Sequence, residues 1–418
     1  VVIGDGRIAA AGGGTAAGAR RDCAGCLILP GNVCGHTHLY SALARGMPYR
    51  LPPPANFTQI LQRVWWRLDR ALDEESIRHS ALAGGMAALL AGTTTLIDHH
   101  ASPNAIDGSL DVIADALESL GLRSVLCYEV SDRDGPERAQ AGVRENQRFL
   151  AGRRALTRGL FGAHASFTLS DDTLGACIDG ARRAETGLHI HVAEDAADRR
   201  DAMARFGMPV VARLARAGGL EPGAILAHCI HLDDHEIAML VASAAAVAHN
   251  PTSNMNNSVG HTPVGRLGDR VVIGTDGIGA DMFGESKTAY FRARDEDVFL
   301  PITWPLERMA AGARLAGRIF GEPALGTIEP GAPADLVVLE YPAPTPLDEG
   351  NLAGHWAFGL HAAHVRDVLV AGELVVADRR LVKVDQDRLV AEAARAARRL
   401  WGRLDEIGPH PFEPAGGS

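Results

Sequence analysis

A (β/α)8 barrel carrying a small β-sandwich built from both chain ends, an α/β architecture, is what three features of the sequence predict. Between about residues 32 and 276, short β-rich apolar runs alternate with Ala/Leu/Arg-rich amphipathic stretches, as repeated βα units do. There are eight such runs, the number a closed parallel barrel needs. Outside them both ends of the chain read as strand and turn, and neither is long enough to bury a core alone. The length of 418 residues accommodates a barrel of about 250 residues and a smaller partner.

In chain order, VVIGDGRIAAAGGG opens the sandwich, and Gly12-Gly13-Gly14, with no GxGxxG context and no following helix, reads as a hairpin turn. The barrel strands are NVCGHTH, TTTLIDHH, LRSVLCYEV, RGLFGAHAS, GLHIHVA, AILAHC, AAVAHN and VVIGTDG. Helices fill six of the seven gaps, among them DEESIRHSALAGGMAALLAG and DDTLGACIDGARRAETG, each opened by acidic residues suited to a helix N-terminus. The connection between AAVAHN and VVIGTDG is short and rich in Asn, Gly and Pro, so one unit is expected to be irregular. ADLVVLE and VRDVLVAGELVVADRRL supply the remaining sandwich strands, and residues 386–403 an amphipathic terminal helix. The expected division is 1–30 plus 323–385 for the sandwich, 31–322 for the catalytic barrel and 386–418 for the C-terminal helix and tail.

Composition excludes several classes of function. With 46% hydrophobic and 22% charged residues the chain is ordinary globular protein, and no apolar run approaches the roughly 18 residues of a spanning helix. A net charge of -10 without a basic block argues against nucleic-acid and anionic-membrane partners. VVIGDGRIAA reads as strand and turn rather than as a signal peptide, and six cysteines make no disulfide framework, so a cytoplasmic location is expected. Cys23 and Cys26 form a lone CxxC that lacks the further ligands of a zinc finger.

Histidine is more informative, with 17 present and several at the ends of β-like runs. His36 and His38 sit at i and i+2 of one strand, so both side chains point into the barrel at its C-terminal end, where two imidazoles can grip one metal ion. Other strand ends finish in metal-competent or proton-transferring residues: His164, His191 with Glu194 three further on, His228 and Asp276. Barrel active sites are assembled from such ends, and metal catalysis follows.

The strings PGNVCGHTHLYSALARG, HIHVAE, AHCIHL, HNPTSNM, GTDG and GTIEPGAPADLVVLE resemble the amidohydrolase superfamily, in its branch of cytosine/guanine deaminases and triazine hydrolases. PPPANF, LQRVWWRLDRAL and IDHHASPNAIDGSLD resemble most closely the SsnA-type aminohydrolases. The resemblance spans nearly the whole chain and implies the same fold, a TIM-like barrel with a two-ended sandwich. It implies that His36, His38, His191 and Asp276 bind the metal, that Glu194 shuttles protons and that His228 contacts the reacting centre. Cys34 departs from the pattern, since many relatives carry Asn there.

Binuclear members of the superfamily bridge two ions with a carboxylated lysine on the fourth strand. The only lysines here are Lys287 and Lys383, far from RGLFGAHAS, so one divalent transition metal per chain is expected, zinc first and iron as the alternative. Asp276 can accept a proton from water or aim it, Glu194 can protonate a ring nitrogen and then the leaving group, and His228 can donate to a developing oxyanion. The expected reaction is hydrolytic deamination of a purine-, pyrimidine- or triazine-like heterocycle with release of ammonia. Ring opening of a cyclic amide and displacement of a halide remain alternatives with the same site. The expected partners are a small heterocyclic substrate, water and further copies of the chain, as a homodimer or higher homo-oligomer.

Around the centre the reading thins. His164 is expected to touch substrate because strand four ends at the mouth, and Arg45 to bind a carbonyl or carboxylate or else to sit in a salt bridge. Asn254 and Met255 can cover a planar ring. Trp65 and Trp66, adjacent in an amphipathic helix, cannot both face one side, so one is expected in the core and the other in a lid or subunit contact. His189, His99 and His100 read as packing or supporting histidines, and Cys34 as core.

Overall fold

The structure, a computed structural model, describes residues 1–12 and 18–416, so Gly13 and Gly14 of the expected glycine turn lie outside the described residues. The chain opens with β1 (Val2–Gly4), β2 (Arg7–Ala10) and β3 (Leu27–Pro30). The barrel strands follow: β4 (Asn32–Thr37), β5 (Thr93–His100), β6 (Arg123–Tyr128), β7 (Thr157–Gly159) and β8 (Phe161–Ala165). Next are β9 (Leu188–Val192), β10 (Ile225–His228), β11 (Ala246–His249) and β12 (Val271–Ile273). Finally β13 (Leu336–Leu339), β14 (Val365–Val370), β15 (Glu373–Ala377) and β16 (Arg380–Leu381) return to the sandwich.

Strands β4 to β7 form one parallel sheet in sequence order and β8 to β12 another. The fourth barrel strand is therefore two pieces, interrupted at Leu160. Two seams close the ring: Val130 bridges Ala163, and Thr37 bridges Asp276, where the His36 carbonyl accepts the N–H groups of both Thr275 and Asp276. Every residue of β4, β5, β6, β9 and β10 is buried, as strands covered on both faces must be.

The two-residue period assigns each side chain to a layer. In β9, Leu188, Ile190 and Val192 join the core beneath the helices, which leaves His189 and His191 for the barrel interior. Deeper in the barrel, Ile97, Val125, Leu160, Ile225, Ala248 and Val272 pack together, and Leu315 and Phe320 of the helix Trp304–Phe320 close the layer. Helices begin where the sequence caps them. Asp73 and Ser76 form a reciprocal capping box at Glu74–Leu90, and Ser170 caps Asp171–Arg183, which carries two aspartates in its first turn and two arginines in its last. The irregular unit after β11 consists of two short helices, Pro251–Asn256 and Val264–Leu267.

Strands β3, β13, β14, β15 and β16 form an antiparallel sheet, and the β1–β2 hairpin joins through an Arg7–Pro333 bridge and a shared core of Ile8, Ala332, Ala334 and Leu336. A buried ion pair between Arg123 and Asp335, 2.8 Å long, ties barrel to sandwich. The terminal helix Gln386–Asp405 buries Leu389, Ala393, Ala396, Leu400 and Leu404 on one face, and the tail after it reaches the barrel mouth, where Gln62 Nε2 donates to Phe412 O at 2.8 Å. No helix among the described residues is long and apolar enough to cross a membrane.

Candidate active site

At the C-terminal end of the barrel, His36, His38, His191 and Asp276 each offer one ligand atom, all within 4.8 Å of one another. Hydrogen bonds at the far side of each ring settle which nitrogen faces the centre. His38 Nδ1 donates to the His99 carbonyl at 2.6 Å and His191 Nδ1 to the His164 carbonyl at 2.8 Å, so in the neutral rings both Nε2 atoms carry the lone pair. Those two atoms stand 3.1 Å apart. Asp276 Oδ1 lies 3.0 Å from His38 Nε2 and 3.6 Å from His36 Nε2, and His36 Nε2 is buried without a hydrogen-bond partner. Three imidazoles and one carboxylate converging in a dry interior are a donor set that could hold zinc or iron, and although burial would lower His38, the Asp276 carboxylate pushes it up to about 9.

Gly35 makes this closure possible. A Cβ there would stand 2.9 Å from Val272 Cγ2 and 3.0 Å from Ile273 O, so only a residue without a side chain lets β12 approach β4 and bring Asp276 to the histidines. The chain also turns sharply at the strand ends. Ala193, His228, Cys229 and Asp276 all have positive φ, between 47° and 72°, a conformation that costs L-residues roughly 1–2 kcal/mol each.

One short helix holds the three remaining chemical groups. From Pro251–Asn256 and the residue after it, Ser253 donates its hydroxyl to Asp276 Oδ2, Asn254 Oδ1 accepts from His228 Nδ1 at 2.8 Å, and Asn257 Nδ2 reaches Glu194 Oε1 at 3.5 Å. With Nδ1 donating, His228 Nε2 carries a lone pair and has no hydrogen-bond partner. It faces Glu194 Oε2 at 3.5 Å and Asp276 Oδ2 at 4.0 Å. His228 is thus an acceptor first, and it can donate to an oxyanion only after taking up a proton.

Burial separates the two carboxylates. Burial pushes Asp276 up, but the contacts with His36 and His38 outweigh it and hold the carboxyl well below its usual range. Glu194 is pushed well above its usual range by burial and by the charge of Asp276. The surroundings favour the ionised form of Asp276 and the protonated form of Glu194. Burial lowers His36 to about 3 and keeps His228 below its ordinary value.

A cavity of about 40 Å³ lies over these groups, walled by Tyr40, Phe57, Trp65, Trp66 and Phe167. Its roof is the short helix Phe57–Ile60, the π-helical turn Leu61–Trp65 and the helix Trp66–Ala71. Trp66 is core, as one of the pair was expected to be, with the half-buried Trp65 packed beside it, and both line the cavity. His164 lines the same cavity, with its Nδ1 on Thr168 Oγ1 at 2.7 Å. Arg45 does not line it: this exposed residue borders a separate pocket next to Met47 and Val64. Asn254, expected against substrate, is 1% exposed and spent on His228, and Met255 turns out to solvent at 47% exposure. Cys34 is core, bonded to Thr275 and the His36 carbonyl, and His189 Nε2 meets His36 Nδ1 at 2.9 Å.

Sequence reasoning passed over Glu129, which follows the end of β6 as directly as His100 ends β5. Its carboxylate lines the cavity between His99 Nδ1, 3.2 Å away, and His164 Nε2, 3.7 Å away. Burial would raise it, but His164, Arg133 and His99 together hold it well below its usual range. Arg133, wholly buried, bridges Glu129 at 2.8 Å to Asp69 of the roof at 2.5 Å.

The amidohydrolase family model matches residues 27–375 of the chain. A 5-methylthioadenosine/S-adenosylhomocysteine deaminase of Desulforudis audaxviator is 31% identical over 394 residues, 91% of this chain and 88% of that protein. A 5'-deoxyadenosine deaminase of Methanopyrus kandleri is 31% identical over 384 residues, 90% of this chain and 86% of the other. Among solved structures, an adenosine deaminase from Xanthomonas campestris with bound zinc is similar with a TM-score of 0.77 at 25% identity, covering 91% of this chain and 87% of that one.

Proposed function

The chain belongs to the amidohydrolase family, and on that premise we propose a metal-dependent hydrolytic deaminase that removes an exocyclic amine from an adenine-like heterocycle as ammonia. The observation that carries the reading is the pair of Nε2 lone pairs of His38 and His191 facing each other beside Asp276. We assign the metal to His36, His38, His191 and Asp276, with zinc as the ion, and the chemistry to residues 31–322. When bound, the metal supplies Lewis acidity that makes water a nucleophile near neutral pH.

The protein groups then divide the proton traffic. Water adds its oxygen to the ring carbon bearing the amine, while Glu194, protonated in its buried place, gives its proton to the adjacent ring nitrogen. The proton lost by water goes to His228 Nε2 or to Asp276, whose Oδ2 lies 4.0 Å from that nitrogen. It is passed to the amine, which leaves as ammonia as the C–N bond breaks, while the added hydroxyl gives its remaining proton to the Glu194 carboxylate and becomes the ring carbonyl, restoring protonated Glu194. His164 and Glu129, on the far wall, are placed to contact the heterocycle, and the aromatic roof excludes water. The names of the relatives support amine removal over ring opening or halide displacement. The test is a panel of aminopurines and aminopurine nucleosides followed by ammonia release and ring absorbance. One ammonia per ring with the chromophore retained is expected, and loss of ring absorbance without ammonia would assign ring opening instead.

A further inference from the structure

At the end of the barrel opposite His36 and His191, the N-terminal ends of β7, β9, β11 and β12 border a cavity of about 1200 Å³. Seven of its lining residues are arginines and three are acidic, in a protein whose net charge is -10. Asp111 is already held by Arg148 and Arg154, at 2.6 and 2.7 Å, and Asp269 by Arg308 at 2.8 Å, while the exposed Glu185 forms no ion pair among the described residues. That leaves Arg153, Arg158, Arg270, Arg314 and Arg318, none of which forms an ion pair with a carboxylate among the described residues.

Their surroundings set them up rather than neutralise them. Arg158 donates to the carbonyls of Arg154 and Thr157 and lies over the Phe320 ring at 5.1 Å, and Arg270 donates to the Val241 carbonyl. Arg314 and Arg318 are one turn apart on the helix Trp304–Phe320, where like charges repel. The cavity floor is apolar, from Leu160, Ala246, Val272 and Leu315. Arg158 and Arg270 are half-buried and Arg153, Arg314 and Arg318 are exposed, and guanidinium groups without carboxylate partners match tetrahedral oxyanions through charge-assisted, forked hydrogen bonds.

We propose that this basal cavity binds a linear phosphate chain, either inorganic tripolyphosphate or the triphosphate of a nucleotide. Five guanidinium groups without carboxylate partners exceed what a single phosphate needs, and a phosphate chain spans a cavity of this size as a single ion does not. Because the arginines and the cluster of His36, His38, His191 and Asp276 lie at opposite ends of the barrel, the bound chain is not the substrate.

The experiment is calorimetric titration and thermal melting of the metal-loaded protein with sodium tripolyphosphate and separately with ATP, at low ionic strength. Saturable binding with a raised melting temperature is expected, weakening as salt increases. The exposed triple variant R153Q/R314Q/R318Q should fold as the parent does by circular dichroism and lose about tenfold in affinity for each charge that the ligand used. The variant R314K/R318K, which keeps charge without the fork, should fall between the two. Tighter binding of ATP than of tripolyphosphate assigns the nucleotide, with its base on the apolar floor, and equal binding assigns the phosphate chain alone. Absence of binding, a melting shift reproduced by sulfate at equal ionic strength, or equal affinity in the glutamine variant overturns the proposal.

Discussion

The Nε2 atoms of His38 and His191 lie 3.1 Å apart, with both Nδ1 atoms committed to backbone carbonyls one strand away. Neither ring can turn its tautomer to relieve the contact without abandoning a buried carbonyl. A cation held between them would relieve the contact. Purified protein should carry about one transition metal per chain by elemental analysis. His191→Ala should strip the ion and leave far-ultraviolet circular dichroism close to the parent's. Two equivalents per chain would refute the single-ion assignment.

Glu194 stands off the ligand cluster, bonded to Asn257 and facing His228. Glu194→Gln keeps the shape and removes the transferable proton. Metal content should stay at the parent level while kcat drops by about 10² to 10⁴. A variant that loses metal along with activity would make Glu194 a ligand.

Ser253 and Asn254 should separate metal affinity from catalysis. Ser253→Ala frees Asp276 Oδ2 and is expected to weaken metal binding by about 10- to 100-fold, read by competition with a chelator. Asn254→Leu releases His228 Nδ1 and should lower kcat with metal retained and KM little changed. If the Asn254 variant instead raised KM alone, the residue would belong to substrate binding after all.

Asp198 offers a pH test of the scaffold. Its carboxylate accepts the Ala193 N–H at 2.8 Å, holding the strained residue before Glu194, and burial raises it to about 7 from an ordinary 3.8. A carboxyl whose folded value is raised favours the folded state below pH 3.8, and this contribution is lost as pH rises through about 7. Denaturant unfolding should show stability declining across that window by up to about 1.4 kcal/mol per pH unit from this one group. In Asp198→Asn the slope should diminish, and an unchanged slope would clear Asp198 of the effect.

Gly35→Ala tests the closure between β4 and β12. The added methyl meets Val272 and the Ile273 carbonyl, and backbone gives way poorly, so a destabilisation of about 1–3 kcal/mol is expected together with weaker metal binding. Unchanged stability and metal affinity would show that the seam adapts.

What the amino-acid sequence determined by itself was local and periodic. The alternation of two along GLHIHVA placed His191 in the barrel interior and its neighbours under the helices, and the HxH of the first strand did the same for His36 and His38. Eight runs of this kind, with acidic helix starts between them, were enough to read the barrel, and the β-rich ends were enough to read the sandwich. The tertiary structure decided what depends on distance across the chain. Asn254 follows a strand end as legibly as any site residue, yet the rotation of a six-residue helix turns it to His228 and Met255 to solvent. Arg45 follows the strand of His36 and His38 but leaves the cavity, while Glu129 enters it and joins Asp69, 60 positions earlier, through Arg133. A strand's side-chain direction is set by its own backbone period. A buried polar group's direction is set by whichever partner satisfies it, and that partner is chosen only when distant segments meet.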